Sequence, residues 1–426
     1  MRRTAAAVLT IAMTPLAVVG LSAGTAVAQT TCDGKAPTIV ALPGVPTSGT
    51  PGDDVILGTE GRDTIDGGAG NDTICGLGDA DELIGGPGDD RLFGGLDGEY
   101  SPDDGYDGDV LVPGPGDDVI DLGDDPQSAD VDYVDRLADY DTVSFAGARG
   151  PVTVDLSAGT ATGEGGDTIV VPAFSGGIIG SAYDDVLTGT DGPDRIRGGA
   201  GDDRIDALGG DDDLQPGAGD DLVRAGDGDD IVVSPEGGRD RILGGAGEDF
   251  LETYGRGAFI GGGAGDDYLV GQLGVSVHGG AGDDEIDAVL RRGKAISVSG
   301  GAGHDIVRLR APKSQFPRGS QYVVDVPRKQ VMVSGAKRAR YTKVEDLRFS
   351  AGRASLRYLG GPGRDSVSVG GGLQITAYGR GGRDVLIGGR RDDLLVGGPG
   401  RDQLVGGAGR DRCLGGEELR QCELRR

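Results

Sequence analysis

A nine-residue period runs through much of the chain and constrains its fold more than any other feature. Its units have glycine at positions one, two and four, aspartate at position six, and Ile, Leu or Val at position eight. Regular runs of units occupy residues 49–93 and 180–233, and a third run begins at Gly360 and ends at Leu414. Self-similarity at a fixed short period is typical of repeat proteins, in which each unit packs against its neighbours.

Each unit predicts a tight turn followed by a short strand. The first six residues are poor helix and strand formers, and their glycines allow positive φ. The last three place one apolar side chain between two outward-facing ones, which is the period-two pattern of a strand. Stacked units bury these apolar side chains in one continuous core. A solenoid of this kind needs no aromatic filler, which suits a chain with 86 glycines, no tryptophan and 4% aromatic residues.

The aspartate at position six carries the chemical signal. Stacked turns place these carboxylates in a column, where unneutralised charges would repel one another. Carboxylates and the carbonyls of an open glycine-rich turn are hard ligands that suit Ca²⁺ better than Mg²⁺, and aspartates serving only as turn formers would not keep one phase. The candidate calcium ligands are Asp54, Asp63, Asp72, Asp81, Asp90, Asp118, Asp185, Asp194, Asp203, Asp212, Asp221, Asp230, Asp249, Asp267, Asp284, Asp384, Asp393, Asp402 and Asp411.

The pattern resembles the RTX, or hemolysin-type, calcium-binding nonapeptide repeat family. Units such as GGAGNDTIC (67–75) and GGAGDDRID (198–206) carry the resemblance. It implies an all-β fold, a parallel β-roll in which one coil takes two units, with Ca²⁺ held between turns two units apart. The bridging pairs that it implies are Asp54 with Asp72, Asp63 with Asp81, Asp72 with Asp90, Asp185 with Asp203, Asp194 with Asp212, Asp203 with Asp221, and Asp212 with Asp230.

The repeats vary along the chain. Between residues 234 and 308 the pattern weakens, and Ala258 stands where aspartate is expected, so we expect a continuing roll with vacant calcium positions. In the third array arginine often occupies position five, as at Arg383, Arg401 and Arg410. Each arginine could neutralise an adjacent carboxylate, and these rungs would then need calcium less.

Two segments break the period. We expect both to be metal-free β-rich coils that continue the solenoid, and separate small domains are the alternative. The first contains the hairpin-like sequence PVTVDLSAGTATGEGGDTIVV at 151–171. The predicted organisation is a signal peptide at 1–28, an N-terminal cap at 29–48, array one at 49–121, a β-rich linker at 122–179, array two at 180–308, a basic β-rich linker at 309–359, array three at 360–414 and a C-terminal cap at 415–426.

The first 28 residues have the features of a secretory signal peptide. Arg2 and Arg3 precede an apolar stretch that is short and interrupted for a membrane span, and Ala26-Val27-Ala28 fits a cleavage site. We therefore expect cleavage near Ala28, a secreted protein and no transmembrane span in the mature chain. An N-terminal signal and cysteines depart from the usual pattern of the RTX family and suggest a secreted Gram-positive or actinobacterial relative.

The four cysteines are Cys32, Cys75, Cys413 and Cys422. They allow three disulfide pairings, between which the sequence does not choose. Pairing within each end of the chain would close two short loops and fix the two ends. Disulfides are plausible in an exported protein, because it folds under oxidising conditions.

Charge and composition limit the classes of function. The net charge of −29 argues against a nucleic-acid partner. Residues 309–359 hold 12 basic and 3 acidic residues, which indicates either contact with an anionic cell-surface polymer or glycan, or a solvated basic face. Two histidines leave no catalytic constellation, so we expect no enzyme.

The leading hypothesis is a secreted calcium-binding repeat protein that folds on Ca²⁺ outside the cell and has a structural or cell-surface role. A β-helical enzyme acting on acidic polysaccharide and a glycan-binding adhesin are the alternatives.

Overall fold

The structure is a computed structural model of the chain. It describes residues 31–96, 108–123, 141–171, 176–272, 274–292, 295–316, 320–325, 329–333, 336–342 and 346–422. The predicted signal peptide lies outside the described residues, as do residues 97–107 and the side chains of residues 336–342. Within the described part the chain is all-β without a helix, and so contains no apolar helix long enough to cross a bilayer.

The strands are short in the regular arrays and longer at the second interruption. Before the first interruption they are β1 (Ile39–Val40), β2 (Thr47–Ser48), β3 (Val55–Leu57), β4 (Thr64–Asp66), β5 (Thr73–Gly78), β6 (Glu82–Ile84), β7 (Arg91–Leu96), β8 (Val110–Val112) and β9 (Val119–Asp121). In the first interruption they are β10 (Thr142–Ser144), β11 (Thr153–Asp155), β12 (Thr160–Thr162), β13 (Gly166–Val170) and β14 (Gly176–Ile179).

The second array contains fourteen strands. They are β15 (Val186–Thr188), β16 (Asp194–Ala200), β17 (Arg204–Asp206), β18 (Asp213–Ala218), β19 (Leu222–Asp227), β20 (Ile231–Ser234), β21 (Arg241–Ala246), β22 (Phe250–Thr253), β23 (Phe259–Ala264), β24 (Tyr268–Gly271), β25 (Ser276–Ala281), β26 (Glu285–Val289), β27 (Ile296–Ala302) and β28 (Ile306–Ala311). The remaining strands are β29 (Gln321–Asp325), β30 (Gln330–Val333), β31 (Ala336–Thr342), β32 (Asp346–Leu359), β33 (Ser366–Tyr378), β34 (Val385–Ile387), β35 (Leu394–Val396), β36 (Gln403–Val405), β37 (Arg412–Leu414) and β38 (Glu418–Arg420).

Strands two apart in the sequence pair in parallel, so the chain winds as a coil with two faces. β3 pairs with β5, and Val55 lies opposite Thr73, two repeat units along the chain. In the regular arrays the odd-numbered strands form one ladder, here called face A, and the even-numbered strands form the other, face B. β32 and β33 are long enough to contribute to both faces. The predicted parallel β-roll is confirmed.

The apolar residue of each unit forms the core. Ile56, Ile74 and Leu92 on face A, and Ile65 and Leu83 on face B, are fully buried. Burying one such side chain contributes about 1.5–3 kcal/mol, so a single apolar residue per rung is sufficient when rungs stack in number. The turns between strands depend on close backbone approach. At Gly86, where φ is +101°, a Cβ atom would lie 2.0 Å from the carbonyl oxygen of Gly68 in the preceding coil.

Both interruptions are built in the same way inside the solenoid. In the first, β11, β12 and β13 form an antiparallel meander on face A, in which β13 pairs with the earlier β9 and β11 with the later β15. In the second, β29, β30 and β31 form the same meander, with β31 on the earlier β27 and β29 on the later β32. Face B stays a continuous parallel ladder past both meanders, through β10 and β28 respectively. Each interruption therefore inserts three strands into face A where face B has one.

Aromatic side chains fill the second interruption. Tyr322 packs against Phe316 and Phe349 with ring-centroid distances of 6.0 and 5.1 Å, and all three rings are buried. Tyr358, on the second half of β32, is also among the largest fully buried side chains. The expectation that no aromatic filler is needed therefore holds for the regular rungs, whereas the meander encloses a wider space that larger side chains occupy.

Disulfides fix both ends of the described solenoid. Cys32 is bonded to Cys75, and Cys413 to Cys422. This resolves the pairing that the sequence left open, in favour of one bridge at each end.

At the C-terminal end Glu417 takes the place of the next aspartate, because its Oε2 accepts the backbone N–H of Asp402 at 2.7 Å. The next strand, β38, still pairs with β36, so this glutamate replaces the column aspartate of the last coil.

Candidate metal centre

Two columns of buried aspartates run along the solenoid, one beside each face. Nearly all of these aspartates directly precede a strand, because position six of the unit is the last residue of the turn; Asp194 begins β16 and Asp167 is the second residue of β13. The column of face A, here column A, contains Asp54, Asp72, Asp90, Asp118, Asp167, Asp185, Asp203, Asp221, Asp240, Asp393 and Asp411. Column B contains Asp63, Asp81, Asp109, Asp141, Asp194, Asp212, Asp230, Asp249, Asp267, Asp284, Asp305, Asp365, Asp384 and Asp402.

Where column aspartates lie in consecutive coils, hydrogen bonds join them from coil to coil. The backbone N–H of Asp54 donates to Oδ1 of Asp72 at 2.7 Å, and Asp72 donates in the same way to Asp90. In column B, Asp194 donates to Asp212 at 2.8 Å and Asp212 to Asp230 at 3.0 Å. One oxygen of each of these carboxylates thus holds the preceding coil, and the pairs implied by the family resemblance occupy consecutive coils.

The second carboxylate oxygen is buried and accepts no hydrogen bond from a described residue at most of these positions. A buried unpaired carboxylate oxygen is costly, and buried polar atoms in folded proteins nearly always have a partner. The same unpartnered oxygen recurs along both columns, and a row of cations would satisfy all of them in one way. The Oδ2 atoms concerned belong to Asp72, Asp90, Asp118, Asp167, Asp203, Asp212, Asp221, Asp230, Asp249, Asp267, Asp284, Asp384, Asp402 and Asp411.

Backbone carbonyls surround these oxygens. A Cβ atom placed on Gly244 would lie 2.0 Å from Oδ2 of Asp249 and 2.7 Å from the carbonyl oxygen of Gly262 in the next coil. The glycine at position one of the unit therefore leaves a space into which both the carboxylate of position six and a carbonyl oxygen of the next coil point. No three His, Cys, Asp or Glu side chains of the described residues converge on one point, so a metal here would need these carbonyls as ligands. An all-oxygen set of carboxylates and carbonyls fits Ca²⁺.

The columns are electrostatically strained without a cation. Burial is the main cause that raises the pKa of Asp118 and Asp194 to about 7, and that of Asp212 to about 10. For Asp212 the neighbouring carboxylates of Asp194 and Asp230 raise the pKa further. These carboxyls resist ionisation when no cation lies beside them. At neutral pH either protons or a metal ion must therefore neutralise them.

Without calcium, we expect the metal-depleted protein to be more stable at pH 5 than at pH 8. The folded-state pKa values of Asp118, Asp194 and Asp212 lie well above about 3.9, the ordinary value of an aspartate in an unfolded chain. The folded state therefore binds protons more tightly, and the stability that they contribute is complete below the unfolded-state pKa and is lost as pH rises through the folded-state values. The β signal of metal-depleted protein in circular dichroism, measured from pH 5 to pH 8, tests this, and a signal that rises with pH would contradict it.

The structure adds six aspartates that the sequence-based list of ligands omits. They are Asp109, Asp141, Asp167, Asp240, Asp305 and Asp365. Asp141 and Asp167 lie in the first interruption, where their Oδ1 atoms accept the N–H groups of Asp109 and Asp118 at 2.8 and 3.2 Å. The first interruption therefore contributes carboxylates to both columns, and the expectation that its coils are metal-free stays a prediction. The signal that could have found all six is local, because each is followed by a strand with an apolar residue two positions on, as in DTVS and DTIV.

Asp384 of column B lies next to two of the position-five arginines of the third array. Burial and the carboxylates of Asp365 and Asp402 raise the pKa of Asp384 to about 6. The guanidinium groups of Arg383 and Arg401 are exposed, whereas Asp384 is fully buried. The expectation that these arginines reduce the need for calcium stays a prediction.

Comparison with known proteins agrees with this geometry. A family model described as RTX calcium-binding nonapeptide repeat (4 copies) matches seven segments, 48–83, 76–98, 179–214, 215–234, 236–255, 259–277 and 378–413. The segments fall in the three arrays and leave out most of both interruptions. A search of curated proteins finds no match. The columns continue beyond the matched segments, for example at Asp284 and Asp305.

Proposed function

Since this chain is built from RTX calcium-binding nonapeptide repeats, we propose that it is an extracellular structural protein whose coils fold as Ca²⁺ enters the two aspartate columns. The observation that carries the proposal is the row of buried Oδ2 atoms that accept no hydrogen bond from a described residue. Bound Ca²⁺ supplies the positive charge that these oxygens need. Binding free energy then becomes folding free energy, since the unfolded chain has no preformed site.

Each site is proposed to combine consecutive aspartates of one column with turn carbonyls. Asp203 and Asp221 are an example, joined by the hydrogen bond from the N–H of Asp203 to Oδ1 of Asp221 at 2.9 Å. A Cβ on Gly198 would lie 2.5 Å from Oδ2 of Asp203 and 2.3 Å from the carbonyl oxygen of Pro216, so these two oxygens share one space. The protein's contribution is to hold carboxylates and carbonyls together in a dry turn, where the cation replaces solvent.

The proposed location outside the cell rests on two features. The first 28 residues have the pattern of a signal peptide, and the two disulfides suit an oxidising compartment. Extracellular modules commonly bind calcium with dissociation constants of about 10⁻⁴–10⁻³ M. Sites of this affinity would stay empty before export, where calcium is scarce, and would fill after export, where it is abundant. Mutual repulsion of the aspartates would keep the chain open until it meets calcium.

A role in structure rather than catalysis is part of this proposal. The carboxylates of the two columns are buried, and Asp212 and Asp249 are about 2% exposed. Their oxygens serve coil-to-coil hydrogen bonds, as that of Asp212 does for Asp194. The columns are therefore suited to holding a cation and poorly suited to reaching a polymeric substrate.

Calcium titration of metal-depleted protein tests the proposal. We expect a large gain of β signal in circular dichroism, with many ions bound per chain in a calorimetric titration. Mg²⁺ at the same concentration should give little gain, because it prefers a tight octahedral shell and retains its waters. Full β content in the presence of chelator at neutral pH, or an equal response to both ions, would overturn it.

A further inference from the structure

The first aspartate of each column in each array differs from those that follow it. Its Oδ2 accepts the backbone N–H of the residue four positions earlier, which is position two of its own turn. Thr50 donates in this way to Asp54 at 2.7 Å, and Gly389 to Asp393 at the same distance. At most of the later column aspartates Oδ2 accepts no hydrogen bond from a described residue. The aspartates with the closed turn, here called the start aspartates, are Asp54, Asp63, Asp185, Asp194, Asp365 and Asp393.

The backbone at position two separates the two kinds of turn. In the later regular turns φ is positive there, at +110° for Gly199, +93° for Leu77 and +77° for Leu208. This conformation is unfavourable for a leucine, because its Cβ crowds the backbone, and such strain persists mainly where a site requires it. In the start turns position two has no positive φ, so the later turns alone are held open at a cost. The position-two residues of the start turns are Thr50, Thr59, Ser181, Thr190, Gly361 and Gly389.

Hydroxyl groups reinforce the closed turn in the first two arrays, where position two of every start turn is Ser or Thr. Oγ1 of Thr50 donates to Oδ2 of Asp54 at 2.8 Å. Oγ of Ser181 donates to Oδ1 of Asp185 at 2.8 Å. Positive φ is uncommon for residues other than glycine, and most of all for a β-branched one, so these side chains favour the closed form of the turn.

The coil before a start aspartate has no aspartate of the same column to share an ion with it. Oδ1 of Asp185 accepts the N–H of Val152 at 2.8 Å, and Oδ1 of Asp194 accepts that of Gly176 at 2.9 Å. Both donors lie in the first interruption. An ion on that side would have one carboxylate fewer than an ion between two regular coils, so the closed turn is found where a cation would be held least well.

Asp240 shows the same relation in the middle of the second array. Its Oδ2 accepts the hydroxyl groups of Ser234 at 2.6 Å and of Thr253 at 3.0 Å. In the next coil, whose Phe259 N–H donates to the carbonyl oxygen of Asp240 at 2.8 Å, the column has Ala258 in place of an aspartate. Here too the protein's own donors reach Oδ2 where a neighbouring carboxylate is missing.

We propose that the start aspartates and Asp240 are metal-free positions, and that the calcium ions of each array begin at the second turn of each column. At the metal-free positions N–H and O–H groups supply the positive partial charge that an ion supplies elsewhere. The first coil of an array is thus completed without calcium and offers an ordered edge on which calcium-dependent coils stack. This inference deepens the proposed calcium role and rests on it, because it states which turns take the ion and which residues decide it.

Anomalous scattering from crystals of the unaltered, calcium-loaded protein tests the proposal directly. We expect ions at about 2.3–2.6 Å, the usual Ca²⁺–oxygen distance, from Oδ2 of Asp203 and Asp221. No ion should lie at that distance from Oδ2 of Asp185, Asp194 or Asp240. An ion bound to Oδ2 of any of these three would overturn the inference and leave the calcium role standing. Columns without any ion would overturn the calcium role, and the inference with it.

A matched pair of variants in solution tests the same assignment. Asp185→Asn and Asp203→Asn remove one charge each from consecutive coils of column A, where the N–H of Asp185 donates to Oδ1 of Asp203 at 2.8 Å. Native mass spectrometry at saturating calcium counts the bound ions, and circular dichroism follows folding during a calcium titration. We expect D185N to bind as many ions as the unaltered protein. D203N should bind at least one fewer and fold with a calcium midpoint raised about tenfold, since ligand charge sets calcium affinity.

Loss of the same number of ions by both variants, or of none by D203N, would contradict the assignment. Circular dichroism in saturating calcium shows whether each variant is folded, so lost folding and lost binding are distinguishable. If D185N does not fold, the crystals of the unaltered protein still decide the question, because they require no substitution.

Discussion

Replacing Gly244 by alanine is expected to destabilise the surrounding coils by about 1–3 kcal/mol, the usual cost of overpacking a tight interior. The new Cβ would lie 2.0 Å from Oδ2 of Asp249 and 2.7 Å from the carbonyl oxygen of Gly262. Neither neighbour can move freely, because one is a buried column aspartate and the other is backbone. The φ of Gly244 is outside the left-handed region, so the expected loss is steric rather than conformational.

The same substitution should also weaken calcium binding, since the methyl group occupies the space that the carboxylate and the carbonyl share. Urea unfolding in saturating calcium measures the stability, and a calcium titration measures the affinity. Gly61→Ala is the matched control, because nothing lies within 4 Å of a Cβ at that turn position. If both variants lost equal stability, the close approach at Gly244 would not be the cause.

The effect of Asp212→Asn on the stability of the protein is expected to have opposite signs without and with calcium. Burial and two neighbouring carboxylates raise the folded-state pKa of Asp212 to about 10, so without metal the folded protein must keep this group protonated at pH 7. The unfolded chain ionises it freely, and this difference opposes folding. Asparagine removes that penalty and can still accept the N–H of Asp194, which Oδ1 of Asp212 accepts at 2.8 Å. The variant should therefore be more stable than the unaltered protein in chelator at pH 7.

With calcium the order should reverse. Asp212 is a proposed ligand in the middle of column B, and loss of its charge should raise the calcium midpoint of folding by about tenfold, since ligand charge sets calcium affinity. Asp211→Asn is the control, because Asp211 is the outer neighbour whose Oδ1 accepts the N–H of Asp229. Equal behaviour of the two variants in both buffers would show that the inner column has no special role.

The regular part of the fold could be predicted from the sequence because one unit encodes one turn and one strand. Position eight identified the buried residues, as at Ile74 and Leu83, and position six identified the aspartate columns. Both depend only on local period, and stacking identical units leaves few ways to pair their strands. The repeat period does not predict which strands pair in the interruptions, because the meanders depend on contacts between coils that are far apart in sequence.

Two further features were beyond sequence reasoning for physical reasons. The carboxylates of Asp141 and Asp167 lie in the columns only because the first interruption keeps both ladders in register with the earlier coils. The arginines of the third array were expected to neutralise adjacent carboxylates, but the sequence does not state on which side of the turn each side chain lies. Arg383 is exposed while Asp384 is buried, and only the backbone path of the turn decides this.

The two meanders have a consequence for the shape of the molecule. Each one places three strands on face A where face B has one, so two extra strands lengthen face A by about 10 Å at each interruption. A stack whose two sides are equal in length is straight, whereas unequal sides make its axis turn toward the shorter one. Because both meanders lie on face A, their turns have the same sense and add. We therefore expect the three arrays to follow an arc with face B on the inside, with the interruptions as its two bends.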